Sequence, residues 1–220
     1  MKLGIIGSGN IGKSIGSWAA KLGYEVTFSA KDEEHARQAA AASGNGAKAA
    51  SVRDAVAESE LVLLAVPYDA TKEILNDVRP LLRGKVLIDA TNALTEDMSE
   101  LQVGHTTSAA EEIAKLVPEA RVVKAFNTVF AQVYASQKPE AQGQTLSVFL
   151  ASDDEEAKAK VAGLVSKMGF DVIDTGPLKT ARFIEPLAML NIHLGYGREL
   201  GTEIGFSLNH PNAVKAKRAA

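Results

Sequence analysis

Seven short apolar runs, most of them rich in β-branched residues, punctuate the chain: LGIIG, YEVTFS, ELVLLAV, KVLIDA, ARVVKAF, TLSVFLA and FDVIDT. Between them lie alanine-rich stretches in which apolar positions return every three or four residues. Ile11, Ile15, Trp18, Ala19 and Leu22 form one such stripe after the first run, and Gly23 follows as its C-terminal stop. Continuous apolar runs suit strands buried on both faces, so the alternation predicts a parallel sheet covered by helices. Ser108 and Glu111 have capping-box spacing, each side chain answering a backbone N–H at a helix start, and Pro118 ends that helix. Residues 137–144, QKPEAQGQ, are polar and broken by proline and glycine, and are expected to form a mobile surface loop. After Gly176-Pro177 the pattern changes. Residues 181–208 show no further strand and read as helix interrupted near its glycines.

Composition narrows the function classes. The 220 residues, 46% hydrophobic, accommodate one generous core or a nucleotide domain with a small appendage. The formal charge of -3 comes from interspersed acids and bases, and the basic cluster AVKAKRAA at residues 213–220 reads as a frayed terminus, so nucleic-acid binding has little electrostatic support. With no cysteine and four scattered histidines, neither disulfides, thiolate chemistry nor a metal site is expected. No apolar run approaches the roughly 18 residues of a membrane span, and MKLGIIGSG turns glycine-rich too early for a signal peptide. A cytoplasmic protein is the expectation.

GSGNIG, Gly7 to Gly12, follows the first strand and opens the first helix, the context that gives a G-x-G-x-x-G motif its meaning. Gly7 is expected to make the turn, Gly9 to admit a pyrophosphate, and Gly12 to let helix and strand pack closely, with the anion on free N–H groups at the helix start. Ser8, Asn10 and Ile11 line the same loop. Enzymes that use NAD commonly place an acid at the end of the second strand for the ribose hydroxyls, but this strand ends Phe28-Ser29-Ala30-Lys31. A small polar residue beside a cation favours the 2'-phosphate of NADP. Asp32, with Glu33 and Glu34, is assigned to the first turn of the next helix, and His35 to a second phosphate contact. The fold class is thus α/β, Rossmann-type and doubly wound, with a mainly parallel sheet in residues 1–178 and a short helical C-terminal cap in 179–220.

In such sheets ligands lie over the carboxyl ends of the strands. Those ends read Ala65-Val66-Pro67-Tyr68, Asp89-Ala90-Thr91-Asn92 and Lys124-Ala125-Phe126-Asn127-Thr128. Val66-Pro67 turns the backbone across a cofactor, and Asn92, Asn127 and Thr128 supply the donors and acceptors that a nicotinamide amide needs.

GSGNIG, AVP, GHTTSAAEE, VVKAFNT and GPLKTARFIEPLAMLNI, in this order and spacing, resemble the F420-dependent NADP reductase family over nearly the whole chain. The resemblance implies hydride exchange between NADPH and the deazaflavin F420, with nucleotide residues at Ser8, Gly9, Asn10, Ile11, Ala30, Lys31, His35 and Val66. The same motifs are similar to the cytosolic domain of metalloreductases that pass electrons through a flavin, which makes FMN or FAD an alternative acceptor. Many related β-hydroxyacid dehydrogenases place a catalytic lysine on the helix after the nucleotide domain, and here that slot falls near Glu185. A site that works by positioning, with no single catalytic acid or base, is therefore expected. Reduction of a small imine or carbonyl, and a non-catalytic NADP-binding regulator, are the alternatives. His105, Thr106 and His193 are candidate acceptor contacts, and Lys179, Arg182 and Arg198 candidates for an anionic acceptor tail. The stripe Phe183, Leu187, Leu190 and Leu194 reads as helix core or as the contact of a homodimer that closes the acceptor cleft.

Overall fold

The computed structural model describes residues 1–209. The basic tail at 213–220 lies outside the described residues. Strands and helices alternate: β1 (Lys2–Ile6), α1 (Asn10–Lys21), β2 (Glu25–Ser29), α2 (Glu33–Ser43), β3 (Lys48–Ala49), α3 (Val52–Ala57), β4 (Leu61–Leu64), α4 (Tyr68–Val78) and β5 (Val86–Asp89). They continue as α5 (Ala109–Leu116), β6 (Arg121–Lys124), α6 (Ala131–Ser136), β7 (Glu140–Ala141), β8 (Gln144–Thr145), β9 (Ser147–Leu150), α7 (Glu155–Lys167), β10 (Asp171–Asp174) and α8 (Ala181–Ile192). All seven apolar runs became strands.

Six strands form one parallel sheet in the order β3-β2-β1-β4-β5-β6, the doubly wound arrangement with its crossover between β1 and β4. A parallel pair, β9 and β10, joins β6 through an antiparallel bridge between Lys124 and Ala151. Strands β4 and β5 are buried at every position, as an apolar run covered on both faces must be. Leu61 and Leu63 pack with Ile15 and Ala19 of α1 and Val161 of α7, whereas Val62 and Leu64 pack with Leu75 of α4 and Ile113 of α5. The strand's period of two thus divides the interior into one core per face.

Three expectations need correction, and one strand, β3, had no counterpart among them. Residues 137–144 contain a hairpin, β7 paired antiparallel with β8, and its central residues Gln142 and Gly143 both have positive φ, 51° and 75°. Two positive φ values are what a tight twisted hairpin turn demands, and glutamine is an uncommon carrier of the first. Strand β3 escaped notice because it is a two-residue edge strand without β-branched side chains. Only half of the capping box forms: Ser108 Oγ accepts from Glu111 N at 3.2 Å, while the Glu111 carboxylate accepts from the Ser108 hydroxyl at 2.8 Å and from Arg182. Finally, the C-terminal segment is helical only to Gly197. Helix α8 passes into a π turn at His193–Gly197, and the chain then returns to the start of β9, Ser147 N donating to Phe206 O at 2.8 Å. Gly195 permits the π turn to pack tightly, since a Cβ there would lie 2.6 Å from the Phe130 ring. Among the described residues, no helix is long and apolar enough to cross a membrane, and no cluster of metal-binding side chains occurs.

Candidate functional site: a nucleotide cleft at the carboxyl ends of the strands

The glycine loop is built by sterics. Gly7 sits at φ +101°, and a Cβ there would collide with the Ala65 carbonyl; one on Gly12 would collide with the carbonyl of Gly7. Gly9 is the contrast, with open space where its Cβ would be. The loop is braced from β2, as Gly7 N and Ser8 Oγ both donate to Ser29 O, at 2.9 and 3.1 Å. Helix α1 begins without a side-chain cap and without an acid in its first turn. Its free N–H groups and positive dipole end fit the pyrophosphate of a dinucleotide.

At the end of β2 the structure separates residues the sequence had grouped. Ser29 is fully buried, and its hydroxyl donates to Ile5 O at 2.7 Å, so it braces the loop and is not free to meet a phosphate. Ala30 is half-buried, and Lys31 is exposed with no ion pair among the described residues. Asp32 caps α2, its carboxylate accepting from Glu34 N at 2.9 Å. His35, one turn on, is exposed and lies 4.0 Å from that carboxylate. Lys31, a cation without an ion pair among the described residues, fits a 2'-phosphate.

Beyond the loop a cavity of about 240 Å³ opens between the ends of β5 and β6 and helix α8. Asn10, Ile11, Ala90, Asn92, Asn127, Thr128, Phe130, Asn191 and Ile192 are among its walls, joined by the half-exposed Met98 and Tyr196. Asn92 and Asn127 clasp each other: Asn92 Nδ2 donates to Asn127 O at 3.2 Å, and Asn127 Nδ2 to Asn92 Oδ1 at 3.1 Å. That leaves Asn127 Oδ1 and Thr128 Oγ1 buried without hydrogen-bond partners. Orphaned polar atoms in a cavity wall call for a ligand, and a nicotinamide carboxamide, donor and acceptor together, fits them. No carboxylate, imidazole, guanidinium or ammonium lines the cavity among the described residues.

Other predicted residues stand elsewhere. Val66 packs beside Gly7, and Pro67 is the N-cap of α4, outside the cavity wall. His105 is exposed in a left-handed conformation, φ +61°, Thr106 beside it is exposed, and His193 is exposed with its ring against Gly197; none of the three lines the cavity. Arg182 is committed to the Glu111 carboxylate through two bonds of 2.8 and 2.7 Å, which removes it as a contact for an acceptor tail. Phe183 and Leu190, 76% and 47% exposed, are not helix core.

Sequence reasoning missed a buried charge cluster beneath the cleft. Lys124 Nζ donates to Asp89 Oδ2 at 2.9 Å and to Thr91 O at 2.7 Å, and lies 3.2 Å from Glu185 Oε1. The Glu185 carboxylate also accepts from Ala109 N and Ala110 N, at 2.8 and 3.1 Å, at the start of α5. Burial alone would lower the Lys124 ammonium, but the two carboxylates outweigh it and the net shift is upward. Glu185 thus ties α8 to α5 and β6. None of the three charged groups lines the cavity.

A sequence profile described as NADP oxidoreductase, coenzyme F420-dependent, matches residues 2–93. The F420-dependent NADP reductase of Methanothermobacter thermautotrophicus is 32% identical over 209 residues, spanning 88% of this chain and 89% of that protein. Metalloreductase STEAP3 of Rattus norvegicus is 30% identical over 191 residues, 86% of this chain, but the chain spans only 37% of that protein's length. The crystal structure of a candidate F420-dependent NADP-reductase from Arthrobacter sp. FB24 superposes with a TM-score of 0.86 at 31% identity, covering 96% of this chain and 100% of the other. By sequence and by fold, the chain belongs to the F420-dependent NADP reductase family.

Proposed function

We propose that the chain is an NADP-dependent oxidoreductase that passes hydride between NADPH and coenzyme F420 or a similar flavin-like ring. The cavity carries this reading: its wall joins two orphaned polar atoms to apolar surface and, among the described residues, holds no carboxylate, imidazole, guanidinium or ammonium, only the phenol of the half-exposed Tyr196. Hydride exchange between stacked rings needs alignment at about 3 to 3.5 Å rather than acid–base groups. In this reading Gly7, Ser8, Gly9, Asn10, Ile11 and Gly12 hold the pyrophosphate, and Ala30, Lys31 and His35 face the 2'-phosphate. Val66 and Pro67 flank the nicotinamide half, whose carboxamide meets Asn127 and Thr128 while Asn92 braces them. When bound, NADPH supplies the hydride. Residues 1–178 serve the nucleotide and 179–220 the acceptor, with His105, Thr106 and His193 assigned to the acceptor's outer part.

The relatives named F420-dependent NADP reductase favour F420, and the metalloreductase likeness favours FMN or FAD as the next acceptor to try. An assay of NADPH oxidation with F420, FMN and FAD in turn tests the reading. Turnover with F420 or a flavin supports it; tight NADPH binding without turnover on any of them refutes it. The exposed Phe183 and Leu190 are assigned to a homodimer contact over the cleft, working in the cytoplasm, and a monomer in sedimentation would refute that part.

A further inference from the structure

Residues 126–128 are gripped by their main chain. Three successive carbonyls each accept from a side chain of a different element. Tyr134 Oη of α6 donates to Phe126 O at 3.0 Å, Asn92 Nδ2 after β5 to Asn127 O at 3.2 Å, and Asn191 Nδ2 of α8 to Thr128 O at 3.1 Å. The first of these grips a strained residue. Phe126 is fully buried and sits at φ +67°, a conformation that a bulky L side chain keeps only when its surroundings over-determine it. Tyr134, also fully buried, packs edge-on against the Phe126 ring with centroids 5.9 Å apart, and does not line the cavity. The left-handed residue redirects the chain as it leaves β6, and the next two residues enter the cavity wall with their orphaned Asn127 Oδ1 and Thr128 Oγ1.

We propose that Tyr134 is a positioning residue for the nicotinamide end of the nucleotide: by holding Phe126 O it sets the two orphaned atoms of the cavity wall in place for a carboxamide. The proposal rests on the reading that this cavity takes the nicotinamide of NADPH. A carboxamide suits the pair because its amino group donates to Asn127 Oδ1 while its oxygen accepts from the Thr128 hydroxyl. Burial pushes the Tyr134 phenol well above its ordinary range, so it remains a donor at physiological pH.

Tyr134→Phe tests this, because it keeps the ring and removes only the donor. Two probes are titrated against the full chain: NADPH, and adenosine 2',5'-bisphosphate, which carries the 2'-phosphate but no nicotinamide. NADPH is expected to bind about tenfold more weakly, the effect of one buried hydrogen bond, with bisphosphate binding unchanged. Equal weakening of both probes, or a lowered melting temperature with neither weakened, would overturn the proposal and leave Tyr134 a core residue. Asn191→Ala, which releases the Thr128 carbonyl, provides the second variant, for which the same contrast is expected and its absence counts equally against the proposal. A wild-type chain that binds the bisphosphate as tightly as NADPH would sink the nicotinamide reading itself, and this inference with it.

Discussion

Replacing Lys31 by alanine tests the choice of nucleotide directly. Lys31 is the unpaired cation at the end of β2, exposed, and one residue before the cap of α2. A 2'-phosphate carries about two negative charges, and a charge-assisted hydrogen bond to it contributes on the order of 1.5 to 3 kcal/mol. Exposure discounts that figure, since fully solvated ion pairs contribute only about 0.2 to 1 kcal/mol. A loss of roughly 1 to 2 kcal/mol lies between the two limits, and corresponds to about 5- to 30-fold weaker NADPH binding. NADH lacks the phosphate, so its affinity should not change. Calorimetric titration of wild type and Lys31→Ala with both nucleotides measures the contrast, and repeating it at high salt should shrink the wild-type advantage for NADPH, because the interaction is screened. Equal losses for NADPH and NADH would refute the assignment, as would a wild type that prefers NADH.

Four further substitutions probe separate parts of the structure. Asp32→Ala removes the α2 cap and should lower stability by about 1 kcal/mol in thermal melting without weakening NADPH, because the carboxylate is spent on Glu34 N. Gly9→Ala should melt like wild type yet bind nucleotide more weakly, since its Cβ has room in the empty loop but stands in the anion's path; Gly12→Ala should damage both melting and binding. Lys124→Met leaves two buried carboxylates unpaired, at a cost of about 3 to 5 kcal/mol. At about 2 to 4 °C per kcal/mol for a chain of this size, the melting temperature should fall by roughly 6 to 20 °C. Because the folded pKa of Lys124 is raised, its stabilisation is complete below the unfolded value of about 10.4 and is lost as pH rises through the folded one. The difference in melting between wild type and variant should therefore hold steady from neutral to mildly alkaline pH and narrow only in strong base.

What the sequence disclosed follows from how local each constraint is. A strand buried on both faces must be apolar throughout, so β4 and β5 are legible from LVLL and VLID alone. Gly7 and Gly12 are legible because no other side chain fits beside the neighbouring carbonyls. The β7–β8 turn was not, since its first positive-φ position carries glutamine rather than the asparagine or aspartate that marks such turns. Asp89, Lys124 and Glu185 lie in three separate elements, and nothing near any one of them in the chain tells it from a surface charge. Only the register of β5 and β6, which sets Asp89 opposite Lys124, and the docking of α8, which brings Glu185 onto both, join them. That hidden cluster bears on the chemistry. The Glu185 carboxylate pairs with Lys124 and accepts from two N–H groups of α5, and it does not line the cavity. The cavity is left with neutral amides, the hydroxyls of Thr128 and Tyr196 and apolar surface, groups that can align a ring. Asp89, Lys124 and Glu185 are thus spent on one another and on neighbouring backbone outside the cavity wall, which supports the proposed reading of the site as one that works by positioning.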